Sequence, residues 1–475
     1  MKKSIIILFA GVSVLLASCS DFLTEEPKLS HTTELTLSKF SGLNDATAAL
    51  YARFNSVNYY GANMILYPEL AGGNAINPSS LEGSGRFTTQ TKWDYTENST
   101  FPGWAYGYYI IAGANNVINN LEGKVSNEVS QQDVDNVKAE ALAVRALMYF
   151  NLVTTYGTAY TVNPQALGVP VVLVTENGQP ARNTVEETYA RIEQDLLDAE
   201  SLMSDNYTRA EATDPRAVFS KTAIQALLSR VYLYMGKNQE AANYATKVIN
   251  SGKYSLQSGD TYLAMFNQNM ALDGDEIIFE MFGSKRNDYW DDSGWGMIAY
   301  VTNPNGYADV CASPQLMELF TNPSDVRLNL YTLVNGVDYY PLKYQGKDGS
   351  VDPKENNTPI IRLAEMYLNR AEAISKGATI QGVTAQSDLN TLLTNRGYAQ
   401  ADVPTATTAN ILVERRKELA FEGHVINDFK RTQTSITVYS KDGSSVTIPG
   451  DSKKWAFPIP RTEIENNPNI IQNEY

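Results

Sequence analysis

Two irregular stretches of this chain carry side chains suited to holding a polar ring. The first contains Arg86, Trp93, Tyr95 and Asn98; the second gathers Tyr289, Trp290, Asp291, Asp292, Trp295 and Tyr300 into a short run. A sugar presents an apolar C–H face edged by hydroxyls, so a site for it pairs flat aromatics with Arg, Asp or Asn that make directed hydrogen bonds. Trp290 and Trp295, bracketed by Asp and Gly, are the better stacking candidates, although any tryptophan here can instead be a loop anchor packed inward. Trp104, at helical spacing with Tyr108 and Ile111, reads as core, and Trp455 as packing for the C-terminal segment. Tyrosine is in excess, 29 against 15 phenylalanines, which suits a polar ring-shaped ligand or a protein interface.

Bond-breaking chemistry is poorly provided for. The chain has two histidines, His31 and His424, and neither is an obvious base for a nucleophile. HExxH, GxSxG, phosphate-loop and CxxC patterns are absent from the sequence. Two carboxylates can hydrolyse a glycoside, which keeps a hydrolase in play, but most acids here read as solvated faces or structural ion pairs. Asp273, Asp275 and Glu276 offer oxygens to calcium without the spacing of an EF-hand, and a solvated turn is the simpler expectation. No other cofactor is expected. Cys311 reads as a buried apolar residue.

The N-terminus says where the chain works. Lys2 and Lys3 precede an apolar run from Ile5 to Leu16, and Leu16-Ala17-Ser18-Cys19 follows, with small residues directly before a cysteine. This is the pattern of a secretory leader ending in a bacterial lipobox, in which Cys19 receives the lipid and begins the mature chain. The apolar run is short for a transmembrane span, and several acyl chains give lasting membrane attachment. Setting aside Lys2 and Lys3 takes the 38 basic residues to 36 against 53 acidic ones, a net charge of −17. Nucleic acid and anionic head groups are therefore poor partners. With Cys19 modified, Cys311 has no partner for an intramolecular disulfide, so core packing must hold the fold.

Helical spacing dominates the elements that must position these residues. Leu43, Ala46, Leu50 and Phe54 mark one helix, and Trp104, Tyr108, Ile111 and Asn115 another. Ala139 to Val153 gives the most regular one, ending at Tyr156-Gly157 and apolar enough for two neighbours. Gly168 to Val174 reads as a short strand-like piece; Asn183 or Thr184 caps the next helix. Ser220 to Tyr254 reads as a helical hairpin with Tyr232, Gly236 and Ala241 at tetratricopeptide spacing. Further helices are expected at Ile360 to Lys376, Ser387 to Thr394 and Ala409 to Glu422. Glu276 to Phe282 reads as a strand, Asp442-Gly443 as a hairpin turn, and Phe457-Pro458-Ile459-Pro460 as ordered and extended. Arg145, Glu365, Arg370, Glu372, Arg415, Arg416, Glu418 and Glu422 lie within apolar-spaced helices, so buried ion pairs are expected of them.

Several blocks in shared order carry a family resemblance: Cys19 to Leu23, Ala139-Glu140 through Val169-Pro170, Arg362-Leu363-Ala364-Glu365-Met366-Tyr367-Leu368-Asn369-Arg370-Ala371-Glu372-Ala373, Glu414 to His424, Asp428-Phe429-Lys430-Arg431, and Pro458 through Asn469. In these the chain resembles the SusD/RagB outer-membrane lipoproteins of Bacteroidetes, nearly end to end. The resemblance implies a mainly α fold, a scaffold of four tetratricopeptide-like helical pairs with an irregular ligand-binding part and a few short strands. The expected layout is a leader at 1–18, a lipidated tether at 19–36 and a single domain at 37–475, loop-rich at about 72–103 and 255–359. It also implies a cell-surface binder that captures an oligosaccharide and delivers it to a SusC-like TonB-dependent β-barrel transporter. A peptide ligand is the alternative within the family, and a glycoside hydrolase the alternative outside it. The family's ligand arc also uses an early loop and the stretch after the central strand, a regional correspondence only.

Overall fold

The computed structural model describes residues 33–176, 178–210, 212, 214–267, 275–283, 297–346 and 356–475. Cys19, the leader, most of the tether and the run from Tyr289 to Trp295 lie outside the described residues.

Helices build the scaffold in chain order: α1 (Phe40–Ala52), α2 (Gly103–Asn120), α3 (Gln131–Tyr156), α4 (Val185–Leu202), α5 (Lys221–Met235) and α6 (Asn238–Asn250). In the C-terminal part they are α7 (Leu363–Ser375), α8 (Ala385–Asn395), α9 (Thr408–Glu418) and α10 (Val425–Arg431). Each of α2 to α6 packs on the next; α6 then packs on α7, which also meets α8 and α9. Ser130 and Thr184 start α3 and α4 with reciprocal capping boxes through Asp133 and Glu187, satisfying amides that would otherwise lack acceptors. Gly236, at φ +72°, makes the turn of the α5–α6 hairpin, a backbone conformation costly for any side chain with a Cβ. Helix α3 is buried nearly all round, as its composition foretold, because α2 and α4 both pack on it.

Among the described residues, three small antiparallel sheets complete the fold. Strands β1 (Ala75–Ile76), β3 (Cys311–Ala312), β5 (Asp338–Pro341) and β4 (Tyr331–Val334) lie in that spatial order; β2 (Ile277–Met281) pairs with β6 (Thr358–Arg362), and β7 (Ile436–Tyr439) with β8 (Ser445–Ile448). Three sequence expectations need correction. Gly168 to Val174 forms no strand: its backbone pairs only with Asn183, through Gly168 N and Val169 O, and the carbonyls of Pro170, Val172 and Leu173 accept side-chain donors from Tyr108, Tyr149, Asn115 and Asn119. Ile360 to Arg362 belongs to β6 rather than to the helix that follows. The helix from Ala409 stops at Glu418, and Phe421 has a left-handed φ of +62° that no helix continues through.

The charged motif residues are buried and ion-paired, with the half-buried Arg416 the exception. Arg145 binds Asp195, Arg230 binds Glu365, Arg370 binds Asp388, Arg431 binds Glu372 and Arg415 binds Asp428. Arg416 differs, donating to Asn74 Oδ1 and the Gly73 carbonyl. The densest group surrounds Arg362, whose guanidinium contacts Glu276, Glu418 at 3.0 Å and Glu422 at 2.8 Å, while Arg396 spans Glu276 and Glu418. This overturns the solvated turn expected at Asp275 and Glu276. Both are buried, Asp275 against Arg216 and Glu276 between two arginines, because β2 draws them inside; Asp273 lies outside the described residues.

Removing one partner of such a group strands the others without charge compensation. Arg362→Met should lower unfolding free energy in urea by about 3–5 kcal/mol. Burial alone would raise the pKa values of Glu418 and Glu422, but Arg362, Arg396 and Lys343 hold both below the ordinary 4.5. Their stabilisation is therefore complete above pH 4.5 and is lost as pH falls through the lowered values. Circular dichroism during acid titration should show Arg362→Met unfolding at a higher pH than the wild type.

Candidate functional site

The loop around Ser84 and Arg86 meets the segment that follows Tyr300 at Asp309. Its buried carboxylate accepts hydrogen bonds from Ser84 N at 2.5 Å, Ser84 Oγ at 2.8 Å and Arg86 Nη1 at 3.2 Å, and its carbonyl accepts from Asn77 Nδ2. A second carboxylate repeats the device: Asp338, at the start of β5, accepts from the amides and hydroxyls of Ser79 and Ser80. Burial pushes the Asp338 pKa up, but those four donors outweigh it and hold the group below the ordinary carboxylate value. Beneath the loops, Ala308, Cys311 and Tyr340 pack with Ile76, Leu81 and Val334 against them. Burial raises the Cys311 thiol pKa far above its usual range, so the sulfur acts as an apolar residue there.

On this base stands an aromatic group. Tyr300 and Tyr307 lie with ring centroids 5.8 Å apart, and the Arg86 guanidinium sits 4.5 Å from the Tyr307 centroid. The turn between them closes through Tyr307 N to Tyr300 O at 2.9 Å; a Cβ on Gly306 would meet that same oxygen at 2.5 Å, so the turn requires glycine. Tyr307 remains 44% exposed. The arrangement presents a ring to solvent with a guanidinium fixed against it, a geometry for stacking on an apolar face while hydrogen-bonding its edge.

Of the sequence candidates, the structure brings Arg86 and Tyr300 together and separates them from the rest of the early loop. Trp93 and Tyr95 are a correction: both are buried, 3% and 8% exposed, and turned away from solvent. Trp93 Nε1 donates to the Ala71 carbonyl, its ring meets Trp455 edge-on at 5.4 Å, and Tyr95 meets Phe457 at 4.5 Å. Apolar burial of two large rings outweighed their value at the surface, and Trp93 accepts a left-handed φ of +52° to reach that position. Asn98 is exposed, but its loop adjoins the C-terminal segment, where Arg461 N donates to Glu97 O and Thr100 donates to Pro458 O. Tyr289, Trp290, Asp291, Asp292 and Trp295 lie outside the described residues. Trp104 and Trp455 are buried, as read from sequence.

Sequence reasoning missed Tyr307 and the two serine-bound carboxylates, Asp309 and Asp338. The Asn-Pro-Asn-Gly-Tyr run at 303–307 was the available signal, since an aromatic that follows a turn sequence has no helical or strand face to bury. A concavity of about 630 Å3 near Leu319, Tyr398 and Val413 contains none of the predicted residues. The division between anchor and platform is measurable: Trp93→Ala should cost about 3–5 kcal/mol in denaturant unfolding, whereas Tyr307→Ala should stay within about 0.5 kcal/mol of wild type.

Comparison with known proteins agrees with this architecture. Residues 21–233 match a SusD-like family profile described as starch-binding and associating with the outer membrane, and residues 325–475 match the SusD family profile. SusD-like protein P2 of Formosa agariphila is 24% identical over 517 residues, covering 98% of both chains. The starch-binding protein SusD of Bacteroides thetaiotaomicron is 24% identical across 82% of this chain and 83% of its own. A crystal structure of a SusD superfamily protein from the same species superposes with a TM-score of 0.81 at 28% identity, covering 92% of this chain and all of that one. Among the described residues no helix is long and apolar enough to cross a membrane. Two profiles matched in chain order on one shared helical fold make the conclusion plain: this chain belongs to the SusD/RagB family.

Proposed function

We propose that the protein is a cell-surface lipoprotein, anchored through acylated Cys19, that captures an oligosaccharide and hands it intact to a SusC-like TonB-dependent barrel. The observation that carries the capture step is the Tyr307 ring, held half open to solvent by Asp309 and Arg86 where two distant loops meet. Trp290 and Trp295 precede Tyr300 by a few residues in the sequence and remain its stacking candidates. A relative that carries the name starch-binding protein supports a saccharide over a peptide. The chemistry of the described groups also favours binding over cleavage. Burial, together with surrounding cations, drives the His424 pKa well below its usual value, leaving a neutral, enclosed imidazole, and the acids of the ionic group are fixed on arginines.

Glycan and peptide arrays probed with the soluble chain starting after Cys19 test the reading. Selective oligosaccharide binding is expected, weakened about tenfold or more in Tyr307→Ala, Trp290→Ala and Trp295→Ala, with circular dichroism unchanged. Binding at wild-type strength in all three variants removes the site, and selective peptide binding removes the ligand class. Incubated oligosaccharides should release no new reducing ends. Palmitate labelling of the full chain should disappear in Cys19→Ser.

A further inference from the structure

Away from the Tyr307 platform, between the C-terminal tail and the loop after α3, lies a concavity of about 460 Å3. Thr158, Val162, Asn163, Lys430, Trp455 and Ile471 contribute to its lining, and it shares no residue with the platform. Its volume falls in the roughly 300–1,000 Å3 range of small-molecule sites.

Two buried cations make it unusual in this protein. Lys430, on α10, is 4% exposed; its Nζ donates to the Thr154 carbonyl at 2.7 Å and has no carboxylate partner among the described residues. Arg182, 7% exposed, donates to the carbonyls of Gly168, Leu167, Tyr156 and Ile471 and to Asn473 Oδ1, all neutral oxygens. Ile471, Asn473 and Leu167 also line the cavity, so the guanidinium lies directly behind its wall. Arg145, Arg230, Arg370 and Arg431, comparably buried, each rest on a carboxylate. A desolvated cation satisfied only by dipoles gains most from an arriving anion.

The other charged groups nearby do not fill that role. On α10 itself, Asp428 and Arg431 are committed to each other, to Arg415 and to Glu372, and His424 is buried. From α3, Tyr156 turns its hydroxyl to the Phe101 carbonyl. Asp451, Lys453 and Glu474 stand at the exposed rim, the last two paired together. Burial accordingly lowers the pKa of Lys430 to about 7 and that of Arg182 to about 10.

We propose that this concavity is a second ligand pocket, which takes a carboxylate-bearing sugar unit with its carboxylate on Lys430 Nζ and its ring against Trp455, Val162 and Ile471. The anion requirement follows from the two cations; the sugar follows from the mixed wall, in which Thr158 and Asn163 meet hydroxyls, and rests on the carbohydrate reading above. Binding takes up a proton where Lys430 is neutral, because only the ammonium form pairs with the anion. Affinity should therefore fall with rising pH, by about tenfold per unit above pH 7.

Isothermal titration of the soluble chain with D-glucuronate, D-glucose and acetate tests this independently of whether Tyr307 binds an oligosaccharide. The expected result is glucuronate binding at pH 6 that exceeds both controls at least fivefold, with proton uptake at pH 8 shown by different heats in buffers of different ionisation enthalpy. Lys430→Met should abolish it. Ile471→Trp, which fills the mouth from an exposed position and leaves Lys430 in place, should do the same should the methionine variant not fold. Glucose matching glucuronate, or Ile471→Trp retaining wild-type affinity, overturns the pocket; acetate matching glucuronate overturns the sugar assignment.

Discussion

The structure depends on a buried exchange of charge centred on Arg362. That guanidinium closes β6, and its partners are Glu276, just before β2, Glu418 at the end of α9 and Glu422 in the turn beyond it. Arg327 and Arg396 add contacts to Glu418, and Lys343 binds Glu422 at 2.5 Å. Four basic groups and three acids thus join segments that lie far apart in the chain. Pairs of this kind contribute little net stability compared with an apolar core of equal volume. Their effect is on specificity: a register slip in β2–β6, or a different docking of α9, would leave charges desolvated and unpaired, which no compact alternative tolerates.

That requirement explains how irregular loops are held without a disulfide. The ionic group fixes β6 and the segment from Arg327 to Lys343 onto the C-terminal helices, and β4 and β5 grow from that same segment. Their sheet then receives β3 and β1, which places residues after 72 beside residues after 300. Only the last step is made by the loops themselves, where Asp309 and Asp338 gather serine donors in place of backbone ladders. Each carboxylate satisfies several amides and hydroxyls at once, so short loops with little apolar content remain in one conformation.

Much of this was legible in the sequence where periodicity and charge burial speak together. The helices from α1 to α6, the turn at Gly236, the hairpin at Asp442-Gly443 and the ion-pairing of Arg145, Glu365, Arg370, Glu372, Arg415, Glu418 and Glu422 follow from residue types at helical spacing. Partner identity did not. Arg416 looks like its neighbour Arg415 in sequence, yet it reaches amide and carbonyl oxygens of the 73–74 turn, a long-range contact that local pattern does not encode. The orientation of aromatics in loops was equally hidden. Trp93 and Tyr307 both stand in irregular stretches, and the presence of Ala71, Trp455 and Phe457 around the first decides that it faces inward. Lys430 sits in one of the blocks that carry the resemblance; that its amine meets the Thr154 carbonyl beside a cavity rather than an acid depends on where the C-terminal tail folds back.

The Tyr307 platform and the Lys430 concavity follow opposite physical strategies. At Asp309 the charges are already neutralised before any ligand arrives: Arg86 is tied to Asp309, and what remains available is a half-exposed ring and outward hydrogen-bonding edges. Stacking on such a surface displaces little tightly held water and carries a small penalty in either direction, so modest affinity comes with rapid release. At Lys430 the charge is left uncompensated inside the protein, and an arriving anion relieves a cost that folding left in place. The first geometry suits a ligand that exchanges rapidly; the second suits one that is recognised by its charge.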